Sequence, residues 1–179
     1  MRLLERMDKH DIKEIISKCW ITHDGMWFAH TLSAHGIEET NRLNRAAIRS
    51  MVPIELNRFM KVMDVEKKEL LNFTGFSAFF SEVREFLIPD FMNVLIQFEA
   101  PDRMLWQFTG KGCFAYNGVK QANVHTRYLC GPLYRIQCWL EYLGIAYEMS
   151  PDISVCTMAE RGNCSGRFQL TFPSSSPSS

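Results

Sequence analysis

An α+β fold is what the sequence predicts, and three observations predict it. Apolar residues recur at helical spacing through residues 8–88; after Pro89 the period drops from 3.6 to 2; and Gly and Pro then divide the chain into short segments of both kinds. A helical part (8–88) packed on an antiparallel sheet part (90–172), with two helices inserted into the sheet, follows as one domain over residues 1–172. Residues 173–179, all Pro and Ser, have nothing to bury and read as a disordered tail.

The first helix begins where Asp8 and Asp11 can cap and charge its N-terminus, and His35-Gly36 stops it in the manner of a C-terminal glycine. Within it, Ile12, Ile15, Ile16, Cys19, Trp20, Met26, Trp27 and His30 fall within about 80° of His23 on the helical wheel. That face reads as the core side of an amphipathic helix. From residue 21 onward the opposite side also turns apolar, with Ile21, Gly25, Phe28 and Leu32, so the second half reads as covered on both sides. Asp24, between the faces, is then drawn inside with them. A second helix from Glu38 places Leu43, Ala46 and Ala47 inward and ends ahead of Pro53, which starts a third helix carrying Leu56, Phe59, Met60 and Met63. Phe76, Phe79, Phe80, Val83 and Phe86 form an aromatic stripe on a further helix closed by Pro89, and at this spacing such a stripe belongs to a core.

Met92, Val94, Ile96 and Phe98 alternate with Asn93, Leu95, Gln97 and Glu99, and Ala-Pro-Asp-Arg turns the chain into a returning strand from Met104 to Thr109. Gly110-Lys-Gly112 lacks the spacing of a phosphate loop and reads as a turn or bulge. Cys113 to Tyr116 reads as extended. Helices from about Val119 to Leu129 and from Pro132 to Leu143 follow, the second ended by Gly144. Ala146–Met149, Ile153–Thr157 and Arg167–Phe172 complete the extended segments. There is no internal repeat.

A chain of 179 residues that is 46% hydrophobic and 22% charged has ample material for a core, and its formal net charge of zero gives no pull towards nucleic acid or an anionic membrane. No run approaches the ~18 apolar residues of a membrane span, and Met-Arg-Leu-Leu-Glu-Arg-Met-Asp-Lys lacks the apolar stretch of an export signal, so the expected compartment is the cytoplasm. In that reducing setting the six cysteines are thiols or metal ligands rather than disulfides.

Two groups of residues are candidates for chemistry. His23 and Asp24 read either as polar groups of a pocket, with catalytic work as base, or as a satisfied core histidine and a loop tie; being adjacent, they point about 100° apart and are not a dyad. Trp20, Trp27 and Trp106, with Phe108, are the candidate lining of a ligand pocket. Cys19 and Cys138 read as small core residues. Cys113, Cys130, Cys156 and Cys164 differ, because each stands at the edge of an element, where ligands converge. Their separations of 16, 25 and 7 intervening residues are not those of a zinc ribbon or a ferredoxin. They read either as a Cys₃ or Cys₄ site for zinc or iron, with His125 as a further candidate ligand, or as incidental buried thiols. Cys156 and Cys164 are expected on one side of a hairpin.

Asp24-Gly-Met-Trp-Phe28, then Gly36-Ile-Glu-Glu and Asn41 to Ala46, then Cys113, Cys130, Cys156 and Cys164-x-x-x-Phe-x-Leu170 resemble an uncharacterised bacterial and archaeal family of cytosolic proteins, labelled only as a domain of unknown function. Its members carry Asp-Gly-x-Trp-Phe in an N-terminal helix and a cysteine-bearing α+β C-terminal half. This chain has Cys164-Ser-Gly-Arg-Phe-Gln-Leu170 where the family often ends in a Cys-x-Trp-x-Phe strand. More distantly, the chain is similar to the L-2-amino-thiazoline-4-carboxylic acid hydrolase family and to vinyl-reductase-type small-ligand-binding domains. Three readings follow: a small-ligand- or metal-binding sensor, a hydrolase acting on C–N bonds of a small cyclic amidine or amide, and a non-enzymatic interaction protein using the exposed part of the first helix. The partners to expect are a small molecule and, as an open alternative, further copies of the chain.

Overall fold

The computed structural model describes residues 2–109 and 112–173. The elements run α1 (Lys9–Met63), α2 (Phe73–Leu87), β1 (Val94–Glu99), β2 (Arg103–Phe108), α3 (Phe114–Gln121), α4 (Gly131–Leu143), β3 (Ala146–Ser150), α5 (Thr157–Arg161) and β4 (Ser165–Thr171). The arrangement is α+β, with three helices rather than two inserted among the strands of the second half. Gly110 and Lys111 of the expected turn, and tail residues 174–179, lie outside the described residues.

Asp8 caps α1: its carboxylate accepts from the Asp11 N–H at 2.8 Å, and Asp11 accepts from the Asp8 N–H at 3.3 Å. At Gly36 the backbone takes φ 76° and ψ 173°, so α1 is two helical segments, 9–35 and 37–63, meeting at a kink that glycine permits. Pro53 does not divide the second segment. Val52, Leu56 and Met60 are buried one turn apart across it, in line with the half-buried Ile48, and this continuous buried row carries the helix through to Met63. Asp64, in the left-handed region, ends it.

The sheet has the order β1-β2-β4-β3, every pair antiparallel. The hairpin expected after Pro89 is present, with Ile96 opposite Trp106 and Phe98 opposite Met104. Its inner face carries Ile96, Met104, Trp106, Phe108, Phe168 and Leu170, all buried. α2 packs on this face through Phe76 and Phe80, whose rings meet Phe98 edge-on at 5.9 and 5.6 Å. Phe80 also meets Trp139 of α4 at 5.4 Å, which joins the two covering helices. Phe86 leaves the expected stripe: it is exposed and rests edge-on against Phe59. At Gly166 of β4 a Cβ would overlap the Trp106 ring and the Ser150 carbonyl, so glycine lets three strands close around that indole.

A buried ionic contact ties α1 to α4. Glu55 accepts from both Arg135 nitrogens of a guanidinium edge and from Trp139 Nε1 at 2.9 Å, so its carboxylate is paired and hydrogen-bonded where it is nearly closed off from water.

The largest departure from expectation is the first segment of α1. Its apolar face does not point into this chain. Ile15, Ile16, Trp20, Met26 and Trp27 are exposed, and so are Cys19, His23, Asp24 and His30. The side towards the body is the mixed one: Lys13 Nζ donates to the Glu85 carbonyl at 3.1 Å, Glu14 accepts from the Asp90 N–H at 2.9 Å, and Phe28 packs edge-on against Tyr128 at 5.8 Å. The helical period was legible, but the body meets this segment on its opposite side, through polar groups at Lys13 and Glu14 and through the apolar cluster of Val119, Tyr128 and Cys156 at Phe28. Asp24 and His23 are therefore no buried polar cluster, and Cys19 is no core residue.

Candidate functional site

Chain geometry brings Cys113, Cys130, Cys156 and Cys164 towards one another. Cys113 is the N-cap of α3, Cys130 of α4 and Cys156 of α5. The expected extended runs at Cys113–Tyr116 and Ile153–Thr157 are thus turns into helices, and the expected helix from Val119 to Leu129 is replaced by α3, starting five residues earlier, and a run of turns. Cys156 and Cys164 are not on one hairpin either; α5 connects them, and β4 pairs with β2 and β3.

Each thiol has its own positioning device. After β2, the Thr109 N–H bonds the Asn93 carbonyl at 2.7 Å and the Gly112 N–H bonds Thr109 at 3.1 Å, with Gly112 at φ 82°, and this turn delivers Cys113. Cys164 is fixed from the strand side, since its carbonyl accepts from the Phe108 N–H at 2.9 Å. Cys130 depends on α1. Asn41, buried in the second segment, donates to the Arg127 carbonyl at 2.8 Å and accepts from the Leu129 N–H at 3.1 Å. Glu38 holds the Arg127 guanidinium, and the Tyr128 hydroxyl accepts from the Gly131 N–H, a free donor at the start of α4, at 3.0 Å.

The sulfurs feel one another's charge: Cys164 and Cys156 each push the Cys113 thiol up, and Cys113, Cys164 and Cys156 do the same to Cys130. Burial is the larger cause in each case. It raises Cys113 to about 11, and raises Cys130 and Cys164 as well. Opposing it are donors aimed at sulfur. Backbone N–H groups of Tyr116 and Ala115 favour the Cys113 thiolate, that of Leu133 favours Cys130, and the Thr157 hydroxyl and Trp106 Nε1 favour Cys164. Trp106 Nε1 is turned towards Cys164 yet makes no hydrogen bond of ordinary geometry, and it is buried with no other partner. A thiol is a poor acceptor and a thiolate a good one, so this N–H gains a strong acceptor when Cys164 is ionised. His125, against the Tyr116 ring at 6.0 Å, also buries Nδ1 without a partner.

No three of the four sulfurs lie within 4.8 Å of one another; among the described residues that spacing is met only by His10, Glu14 and Asp90, of which the first and last are exposed. The thiols are gathered but not drawn into a tetrahedral cage, where Zn–S bonds of about 2.3 Å would set them roughly 3.8 Å apart.

The remaining candidates do not join this centre. Trp106 is buried in the sheet with its ring tilted against Phe168 at 5.0 Å, while Trp27 stands 65% exposed on α1 and donates from Nε1 to His23 at 3.2 Å. Trp20 lies under the Arg135 guanidinium, 5.6 Å from its ring centre. A depression of about 300 Å³ on the sheet is lined by Trp106 with Leu95, Leu105 and Ser165, and by neither tryptophan of α1. Cys138 is buried in α4, as expected of a core thiol. Sequence reasoning missed Asn41, Glu55, Tyr128 and Thr157. The signal for the first two was a polar residue in register with buried apolar neighbours of the same helix.

Sequence comparison bears on the same residues, for a family model matches 3–131, the larger part of the chain. The chain belongs to a family of unknown function (DUF6125). The match takes in Asn41, Cys113 and Cys130 and stops before Cys156 and Cys164. It agrees with the resemblance to an uncharacterised family and lends nothing to the hydrolase or vinyl-reductase likeness. No curated protein and no solved structure matches the chain. No helix among the described residues is long and apolar enough to cross a membrane.

Proposed function

We propose that this member of DUF6125 binds a thiophilic metal ion, zinc or iron, through Cys113, Cys130, Cys156 and Cys164. The observation that carries the reading is the buried Trp106 N–H aimed at Cys164 with no acceptor of ordinary strength, beside three further thiols that begin helices. Helix N-termini and N–H···S donors favour thiolates, while burial without a counter-charge disfavours them. A bound cation reconciles the two: it offsets the desolvation, takes up the sulfur charge and draws the four sulfurs together. Trp106 and Thr157 then act as outer donors that orient Cys164. Such a centre suits a sensor or a structural clamp joining the starts of three helices to β4.

Cobalt titration followed by absorbance tests this. The chain is expected to develop a near-ultraviolet thiolate-to-cobalt band, Cys130→Ser to bind more weakly and to lose about a quarter of the band at saturation, and Trp106→Phe to keep it with affinity lower by about 10–100-fold. A chain that binds no cobalt, or whose band keeps its full intensity and affinity in Cys130→Ser, overturns the proposal. No observation favours the hydrolase reading over this one; its candidate bases His23 and Asp24 stand exposed on α1.

A further inference from the structure

The outward face of the first α1 segment has the pattern of a helix-pairing seam. Ile12, Ile16, Cys19, His23, Met26 and His30 follow one another at spacings of 4, 3, 4, 3 and 4. That is the alternation that keeps a stripe facing a second helix, and the seam contains no Lys, Arg, Asp or Glu. Ile15 and Trp27 flank it and are 50% and 65% exposed; Ile16 and Met26, within it, are 62% and 55% exposed. The body already occupies the other side of the segment through Lys13, Glu14 and Phe28, so the seam from Ile16 onward, beyond the half-buried Ile12, stands exposed among the described residues.

We propose that the seam is the interface of a homodimer, formed by two α1 segments packed antiparallel about a two-fold axis near residue 21. The seam is self-complementary in that orientation. The axis sets Ile12 against His30, Ile16 against Met26 and Cys19 against His23, and each pair joins the two kinds of seam position, as antiparallel helices require. The area is sufficient. With aromatic side chains presenting about 150–250 Å² each, the exposed Ile15, Ile16, Met26 and Trp27 leave roughly 500 Å² per copy, Trp20 being turned towards Arg135, so two copies together cover about 1,000 Å², the least that a specific interface buries. An apolar patch of that size lies in the upper part of the roughly 300–600 Å² that the largest patch on a monomer reaches, and patches of this size are often functional.

Sedimentation velocity on the full chain between 1 and 100 μM tests the proposal, with circular dichroism confirming that each variant keeps its helix content. The wild type is expected to sediment as a dimer, and Ile16→Glu to raise the dimer dissociation constant about 100-fold or more, because each copy then buries a carboxylate. Orientation is read by oxidative cross-linking. His23→Cys, with Cys19 of the other copy opposite it, is expected to give a disulfide-linked dimer that the wild type and the Cys19→Ser/His23→Cys variant do not. A monomeric wild type at 100 μM overturns the proposal, as does a dimer indifferent to Ile16→Glu; a monomer that binds phosphatidylcholine vesicles through this face assigns the seam to a lipid surface and overturns it too. A dimer that cross-links through wild-type Cys19 alone refutes the antiparallel register.

Discussion

Asn41 holds the segment that carries Cys130, and removing its side chain tests whether that hold is energetic as well as geometric. Asn41→Ala deletes a 2.8 Å bond to the Arg127 carbonyl and a 3.1 Å bond from the Leu129 N–H, at a site only 5% exposed. A buried backbone group left without a partner costs about 1–3 kcal/mol, and partial water entry relieves some of it, so the pair is worth about 2–4 kcal/mol. For a chain of this size that lowers Tm by about 5–15 °C. Asn41→Asp keeps the acceptor for Leu129 and loses the donor to Arg127, so it is expected to lose stability while still holding Leu129. Urea unfolding followed by tryptophan fluorescence gives the stability. Thiol labelling in the folded state gives the local consequence, since Cys130 begins α4 only one residue beyond Leu129 and should react faster in Asn41→Ala. A loss below about 0.5 kcal/mol, with Cys130 labelling unchanged, would refute the assignment of Asn41 as the anchor of this loop.

Three further outcomes follow from the same structure. Glu55→Ala strands the Arg135 guanidinium and Trp139 Nε1, and should cost about 3–5 kcal/mol by chemical denaturation, whereas Glu55→Gln retains an acceptor and should cost less; equal losses would contradict the pairing. Gly166→Ala forces a methyl into the Trp106 ring and the Ser150 carbonyl and should cost about 1–3 kcal/mol or more, read as a drop in Tm; a neutral effect would mean that the strands close differently around that indole. Burial raises the Cys113 thiol from 9.0 to about 11, so in metal-free protein the unfolded chain gives up this proton first; the stabilisation is complete below about pH 9 and is lost towards pH 11. The decline in unfolding free energy over that interval should be about 2–3 kcal/mol smaller in Cys113→Ala, and identical declines would argue against burial of this thiol.

How much of this was legible in the sequence depended on whether a pattern names its own partner. The hairpin of β1 and β2 was legible because alternation fixes the face, and Ala-Pro-Asp-Arg fixes the turn. α4 was legible because Pro132 and Gly144 mark its ends. Pro53 misled because proline signals a boundary locally, while Ile48, Val52, Leu56 and Met60 stay in phase across it, and the buried row prevails. The first segment of α1 shows the deeper limit. Periodicity correctly grouped Ile12, Ile16, Cys19, His23, Met26 and His30 on one face, but a period states which residues face together and not what they face. For the thiols, standing at the edges of elements was the useful signal. Their helices were missed at Cys113 and Cys156 because Phe114-Ala-Tyr116 and Ile153-Ser-Val155 favour extended backbone locally. The burial of Asn41 had a signal in its register, but its partners and those of Thr157 were not legible, because they are backbone atoms and a thiol that only the fold brings near.

The most direct test of the thiol centre is elemental analysis of protein purified without oxygen, together with a count of reactive thiols before and after unfolding. About one zinc or iron per chain, with Cys113, Cys130, Cys156 and Cys164 protected until the chain unfolds, is the predicted result. Metal-free protein whose four thiols react in the folded state would contradict it.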